Sequence, residues 1–144
     1  MSPVVKRVRK FDPALLQQLF SESGSTIISP NSQFFEDEKN LLLVAYEGSH
    51  PCGFLYGYLL AGLRVRAPKL FLYSIDVAPR YQRQGVGTLL IEKLKSIARN
   101  ESCSEIFVLS NKSNNAAVQL YERTGGTPEN PDDVMFVYQL DESA

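Results

Sequence analysis

The apolar residues of the chain fall into short runs that are separated by polar turns. Runs rich in β-branched and aromatic residues predict strands, and a continuous apolar run predicts a strand that is buried on both faces. Six strands are therefore expected, over residues 4–8, 41–46, 52–63, 70–77, 106–109 and 134–140. Turn residues at 48–51 join the second and third strands into a hairpin, in which Gly53 and Gly57 leave room for bulges.

Apolar residues that recur three and four positions apart predict helices over residues 13–21, 32–38, 85–100 and 114–123. Asp12 is placed to cap the first helix, Pro13 suits its first position, and Gly125-Gly126 ends the last one. The order of these elements predicts one domain over residues 1–144. Its fold class is α/β (α+β), with a mixed sheet that is covered by helices.

Composition narrows the functional classes. The 144 residues are 44% hydrophobic, which is enough for a core without metal or disulfide staples. A formal net charge of −1 gives no electrostatic reason for nucleic acid to be the main partner. Cys52, Cys103 and His50 do not have the spacing of metal ligands, and no apolar run reaches the length of a membrane span. With no export leader, the chain is expected to be cytoplasmic, without metal and without a membrane partner.

The turn between the fourth strand and the third helix carries the first candidate chemistry. Gly85 and Gly87 stand where the helix begins. The first helical turn has unpaired N–H groups and partial positive charge, so a glycine loop there can hold phosphate. Thr88 could add a hydroxyl contact, and Arg80 and Arg83 could meet the negative charge. The sequence fits neither a Walker loop nor a dinucleotide fingerprint, and the glycines alone would equally suit a tight turn.

The last helix carries a second candidate set. Asn114 and Tyr121 lie seven residues apart, so they share one face of the helix. A phenol is a competent proton donor for a departing thiolate. Each residue also has a simpler explanation, because Asn114 suits a helix cap and Tyr121 suits a core tyrosine.

Together, the Q-x-x-G-x-G pattern at 82–87 and the N-x-x-A-x-x-x-Y-E-R-x-G pattern at 114–125 resemble the GNAT superfamily of N-acetyltransferases. The resemblance implies a mostly antiparallel, twisted sheet of about six strands with about four flanking helices, splayed at the acetyl-CoA site beside Val77. One departure is Gly126, which stands where the family commonly has phenylalanine. That exchange would remove an aromatic side chain beside Tyr121.

The resemblance also implies acetyl-CoA as cosubstrate and assigns its contacts. Pantetheine would pair with the strand at Ile75 and Val77, with Asn114 near its arm. Tyr121 would lie near the sulfur as general acid. The remaining cofactor contacts would come from the glycine loop and the first helical turn, which comprise Gln82, Arg83, Gln84, Gly85, Val86, Gly87 and Thr88.

Residues 72–77, 81–87 and 132–136 are similar to the aminoglycoside 3-N-acetyltransferase branch, which typically has an acidic pair before Val-Met in its last hairpin. Asp132 and Asp133 occupy the matching place. This resemblance implies a small cationic amine as acceptor, in particular an aminoglycoside acetylated in antibiotic resistance, with the acidic pair binding it. It also allows a homodimer.

An amine must lose a proton before it attacks, so a carboxylate or an ordered water has to act as base. Strand alternation places Ser74 and Asp76 on one face, and Tyr73, Ile75 and Val77 on the other. The candidate carboxylates are Asp76, Asp132, Asp133 and Glu36. Each of them can also be interpreted as a surface acid.

Other interpretations remain open at this point. His50 and Cys52 lie in the predicted hairpin, away from the cofactor loop, and are interpreted as structural. Two alternative functions are acetylation of a peptide or protein amine, and acyl-CoA binding without catalysis.

Overall fold

The computed structural model describes residues 2–24 and 29–140, and within them five strands form one sheet in the order of the chain. The strands are β1 Val4–Arg7, β2 Asn40–Glu47, β3 His50–Leu60, β4 Lys69–Val77 and β5 Glu105–Val108. Neighbours from β1 to β4 are antiparallel, and β5 runs parallel to β4. The predicted α/β class with a mixed, mostly antiparallel sheet is confirmed.

The helices of this described part are α1 Pro13–Glu22, α2 Val86–Asn100 and α3 Asn115–Arg123. Asp12 caps α1 as predicted, because its carboxylate accepts a hydrogen bond from Leu15 N at 3.1 Å. The helix expected at 32–38 is a 3₁₀ helix, Ser32–Glu36, and a second 3₁₀ helix, Pro79–Tyr81, follows β4. None of the helices within the described ranges is long and apolar enough to cross a bilayer. Residues 1, 25–28 and 141–144, which belong to the predicted domain, lie outside the described residues.

The prediction of a sixth strand is wrong. Residues 134–140 pair with no strand in the described part of the chain, and their large apolar side chains are exposed, from 63% for Val137 to 93% for Leu140. The apolar composition of the segment satisfies the pattern for a strand, but a strand also needs a partner edge for its backbone groups. Composition shows whether a segment has the apolar pattern of a strand, but it does not show whether a partner edge is available.

Each face of the sheet has its own hydrophobic cluster. On one face, α2 covers residues that include Leu43, Leu55 and Leu70, all of which are fully buried. On the other face, Leu16 and Leu19 of α1 cover the β2 and β3 end of the sheet. β2 is therefore buried on both faces, which explains its continuous apolar sequence.

A β-bulge at Tyr73 corrects the predicted alternation of β4. Tyr56 pairs with Ser74 and the next residue, Gly57, pairs with Leu72, so Tyr73 has no partner on β3. Leu72 and Ile75, three residues apart, both pack on the α2 side, while Tyr73 lies on the face that α2 leaves uncovered, so the extra residue breaks the alternation. Gly57 permits the bulge, because a Cβ there would collide with the carbonyl oxygen of Phe71.

β5 pairs with only the first part of β4. The register joins Lys69–Leu72 with Glu105–Val108, and β4 then continues to Val77 without a partner on that side among the described residues. A gap in the sheet therefore opens beside the second half of β4. The gap lies at the same end of β4 as the turn that leads into α2.

Candidate functional site

The turn before α2 is held in a conformation that favours glycine. Gly85 is the N-cap of α2 with φ of 85°, and the helix has no side-chain cap hydrogen bond among the described residues. Arg83 also adopts a positive φ, 63°. Val86 is buried in the core and anchors the first helical turn. The loop therefore presents backbone N–H groups at its surface without a side chain of its own to occupy them.

Gly87 serves a different purpose from Gly85. A Cβ at Gly87 would lie 3.0 Å from Cδ2 of Leu120, so the glycine lets α3 approach the start of α2 closely. A Cβ at Gly85 would meet nothing within 4 Å, and its requirement is conformational. The two glycines thus fix the loop conformation and the position of α3, respectively.

Two glutamines brace the loop. Nε2 of Gln82 donates to the carbonyl oxygen of Val77 at 3.0 Å, and Nε2 of Gln84 donates to the carbonyl oxygen of Arg80 at 3.0 Å. Each side chain therefore holds the loop through one N–H of its amide group. The N–H of Val77 is also engaged, because it donates to Oδ1 of Asp76 at 2.9 Å.

The charge around the loop suits an anion. Residues 78–91 contain Arg80 and Arg83 and no acidic residue. Partial positive charge at the start of α2 adds to these two cations. Thr88 lies half-buried in the first helical turn, as predicted. The residues present therefore fit a phosphate-bearing cofactor such as acetyl-CoA.

Helix α3 places the second predicted pair. Oδ1 of Asn114 accepts a hydrogen bond from Ala117 N at 3.2 Å, so the helix-cap interpretation of Asn114 is correct. Tyr121 is half-buried and packs against the α2 cluster, next to Leu120. Burial raises the pKa of the Tyr121 phenol above its ordinary value, which keeps the proton on it at neutral pH. The structure thus holds a protonated phenol on the α2 side of the sheet.

Lys95 is a site-supporting residue that the sequence analysis missed. Its Nζ donates to the carbonyl oxygen of Thr124 at 2.9 Å and lies 3.2 Å from Oε1 of Glu92. A cation at the end of a helix satisfies the unpaired carbonyl groups there. Lys95 therefore joins α2 to the end of α3 and helps to position Tyr121. The sequence separation of 29 between Lys95 and Thr124 hides this contact from any local pattern.

Asp76 lies in a recess on the α1 side of the sheet, together with Glu22, Ser23 and Cys52. Burial raises the pKa of the Asp76 carboxyl, and hydrogen bonds from Val77 N and the Ser23 side chain oppose this effect. A carboxylate with a raised pKa binds a proton more readily than a solvated one does. Glu22 is a second acid at this recess, and the sequence analysis missed it.

His50 corrects another prediction, because it does not lie away from the cofactor loop. Its Nε2 is 2.8 Å from Nη2 of Arg80 and 3.3 Å from Oε1 of Glu22. Arginine keeps its protons, so Nε2 accepts from Arg80 when the ring proton is on Nδ1. The Arg80 guanidinium also lies 4.9 Å from the ring centroid of Tyr81. Cys52 is structural as predicted, since it is buried with its Sγ 3.4 Å from the Ala45 carbonyl oxygen.

The remaining predicted acids lie on the surface. Asp132 and Asp133 belong to a turn in which Asp132 N donates to Oδ1 of Asn130 at 2.9 Å, and both residues are exposed. Glu36 is exposed at the end of its 3₁₀ helix. Within residues 2–24 and 29–140, no three His, Cys, Asp or Glu side chains are grouped so that they could hold a metal ion.

Comparison with known proteins agrees with this arrangement. The model of the Acetyltransferase (GNAT) family matches residues 9–126. The chain is 38% identical over 56 residues to thialysine N-epsilon-acetyltransferase of Mus musculus. That match covers 39% of this chain and 33% of the relative, so the chain aligns with about a third of the length of this protein.

Two solved structures show the same fold. One is an aminoglycoside acetyltransferase from an uncultured soil metagenomic sample in complex with sisomicin, at a TM-score of 0.85 and 24% identity, with 96% of this chain and 97% of that chain covered. The other is AAC(6')-Iy in complex with the bisubstrate analogue CoA-S-monomethyl-acetylneamine, at a TM-score of 0.80 and 16% identity. That match covers 98% of this chain and 100% of the other.

Proposed function

The chain belongs to the acetyltransferase (GNAT) family, and from this premise we propose that it transfers the acetyl group of acetyl-CoA to a primary amine of a small cationic acceptor. The observation that supports the proposal best is the position of the glycine loop. The start of α2 presents backbone donors and two arginines at the end of β4 where the sheet is open. A long ligand with phosphates at one end can use both features at once.

Acetyl-CoA would be held by two elements. The backbone from Arg83 to Thr88 would bind the phosphates, and the free edge of β4 at Ile75 and Val77 would pair with pantetheine. Pairing at Val77 would have to displace the hydrogen bonds that Val77 makes with Asp76 and Gln82. Asn114, which already caps α3, would contribute through its amide nitrogen.

The chemistry follows from three groups. Acetyl-CoA supplies an acetyl thioester, whose carbonyl carbon takes up the amine while the carbon–sulfur bond breaks. Tyr121 would give its phenol proton to the leaving sulfur, and Asp76 would take the proton from the attacking amine, directly or through water. The raised pKa of Asp76 supports its assignment as base, because the carboxylate then binds a proton more readily, and the raised pKa of Tyr121 means only that the phenol holds its proton before the transfer.

An aminoglycoside is the acceptor that we propose, and its acetylation would then serve antibiotic resistance. The similarity in fold to the aminoglycoside acetyltransferase that binds sisomicin supports this choice. Asp132 and Asp133 would bind the cationic acceptor if residues 134–140 brought the turn to the open edge of the sheet. A peptide or protein amine is the alternative acceptor, and a cytoplasmic location fits either.

A homodimer would account for the exposed segment at 134–140. Six large apolar side chains are exposed there, and together they present on the order of 800 Å² of surface, the contribution of one partner to an interface of standard size. Monomers rarely expose so large an apolar patch. Light scattering of the parent and of Phe136→Ser tests this point, with a dimer expected for the parent and a monomer for the variant.

A thiol-release screen tests the proposed function. Acetyl-CoA is incubated with the protein and with aminoglycosides, linear polyamines or peptides, and free CoA is measured. CoA release with aminoglycosides supports the full proposal, and release with peptides alone replaces the acceptor. If none of the amines causes release of CoA, the enzymatic role is contradicted, and acyl-CoA binding without catalysis remains.

A further inference from the structure

An aromatic row crosses the face of the sheet that α2 leaves uncovered. Its members, which lie on β3, β4, β5 and the first 3₁₀ helix, are Phe34, Tyr56, Tyr58, Phe71, Tyr73 and Phe107. Tyr56 and Tyr73 stack with ring centroids 5.4 Å apart, and Phe71 and Phe107 stack at 4.8 Å with an interplanar angle of 2°. Phe71 joins the two pairs, because its ring lies 5.6 Å from that of Tyr73. These rings hold one another in a fixed surface.

Tyr73 is the centre of the row. It lies two residues after Phe71, so strand alternation puts both rings on the same face. The Tyr73 ring lies between Tyr56, Tyr58 and Phe71, with 57% of the residue still exposed. The largest aromatic surface of the row is therefore open to a ligand.

The row lies beside the gap between β4 and β5. Phe71 is in the last part of β4 that pairs with β5, Tyr73 comes just after that pairing ends, and Phe107 is on β5. On the other face, α2 and α3 pack against the sheet near the same gap. A cofactor that enters from the α2 side would bring its acetyl group through the gap to Tyr73, so an amine has to approach from the aromatic side.

The hydroxyl groups give the row a polar edge. Burial raises the pKa of the phenols of Tyr56 and Tyr58, and the neighbouring tyrosines raise it further. The phenols therefore stay neutral at physiological pH, where they donate and accept hydrogen bonds. Neutral rings also attract a nearby ammonium group through their faces. Flat apolar surface with neutral hydroxyls suits a ligand that has C–H faces and hydroxyls of its own.

Resting on the proposed acetyl transfer, we propose that the aromatic row is the acceptor-binding surface and that it selects amines carried on a ring-shaped body over amines on a linear chain. A ring with an apolar C–H face stacks on Tyr73 and keeps its ammonium groups near the neighbouring rings. A linear polyamine carries similar charge but has no flat face to stack. The row thus selects between acceptors of similar charge by their shape.

The test compares two polycations, sisomicin and spermine, as acceptors for the parent, Tyr73→Ala and Tyr73→Phe. Tyr73→Ala removes the stacking surface and should raise the KM for sisomicin roughly ten-fold, while the KM for spermine changes less than about three-fold. Tyr73→Phe keeps the ring and should keep the parental ratio of the two KM values. The KM for acetyl-CoA should be the same in all three proteins.

Equal changes in the two KM values, or no change in either, would overturn the proposal. A dimer that dissociates in Tyr73→Ala with both KM values unchanged would show that a second chain covers the row, which also overturns it. Binding gives an independent readout through tyrosine fluorescence, since the chain has no tryptophan and three of its seven tyrosines lie in the row. If the parent acetylates neither amine, the proposed function fails. Quenching by sisomicin in the parent but not in Tyr73→Ala would still support the row, and no quenching in the parent would contradict it.

Discussion

Replacement of Gly85 by valine perturbs the proposed cofactor loop, and the chain offers a matched control at Gly48. Both glycines have a positive φ, 85° and 61°, and a Cβ at either position meets nothing within 4 Å. Each substitution therefore costs conformational energy and creates no steric clash in the core. A left-handed conformation costs an L-residue roughly 1–2 kcal/mol. For a chain of this size, that cost lowers Tm by roughly 2–8 °C.

Ligand binding separates the two variants. Acetyl-CoA at one hundred times its Kd should stabilise the parent by about 2.7 kcal/mol, which raises Tm by roughly 5–11 °C. Gly48→Val changes only the β2–β3 turn and should keep this increase. Gly85→Val places a side chain in the open space at the start of α2, where the ligand would lie, and should lose it. Scanning fluorimetry with and without acetyl-CoA measures the increase in Tm of each variant. An equal increase in Tm for Gly48→Val and Gly85→Val would refute the assignment of the loop.

Three further substitutions test the two proposed catalytic groups and the bulge. Tyr121→Phe should lower kcat roughly ten- to ten-thousand-fold with little change in acetyl-CoA affinity, and an unchanged kcat would make Tyr121 a core residue only. Asp76→Asn should lower kcat and raise Tm at neutral pH. Burial raises the pKa of Asp76 in the fold, so its contribution to stability is lost as pH rises through that pKa; a lower Tm for this variant at neutral pH would contradict the sign. Gly57→Ala should lose roughly 1–3 kcal/mol in urea unfolding, because its Cβ meets the Phe71 carbonyl oxygen. An unchanged midpoint would show that the bulge relaxes freely.

Local patterns predicted most of the fold correctly, because each element carries its own signals. Asp12 and Pro13 begin α1 and Gly125 ends α3 as expected. The two features that were predicted wrongly depend on pairing with another strand. Residues 134–140 have the composition of a strand and no partner edge in the described part of the chain. The Tyr73 bulge depends on a mismatch in register between β3 and β4, which neither strand reveals alone.

The same distinction between local signals and long-range contacts applies to the candidate site. Gly85 is identifiable from sequence only together with the motif at 114–125, because a glycine between a strand and a helix would equally suit a tight turn. The approach of Gly87 to Leu120 and the bond from Lys95 to Thr124 are long-range contacts that only the packed helices create. His50 was assigned to the wrong place for the same reason, since the hairpin turn folds back onto Arg80 across 30 residues of chain.

Hydrogen–deuterium exchange with and without acetyl-CoA tests the central claim most directly. The account places the cofactor on the N–H groups at the start of α2 and along the free edge of β4. Exchange should therefore slow in peptides that cover residues 74–77 and 83–88, while β1, at the opposite edge of the sheet, keeps its rate. Protection elsewhere, with residues 83–88 unchanged by saturating acetyl-CoA, would contradict the account.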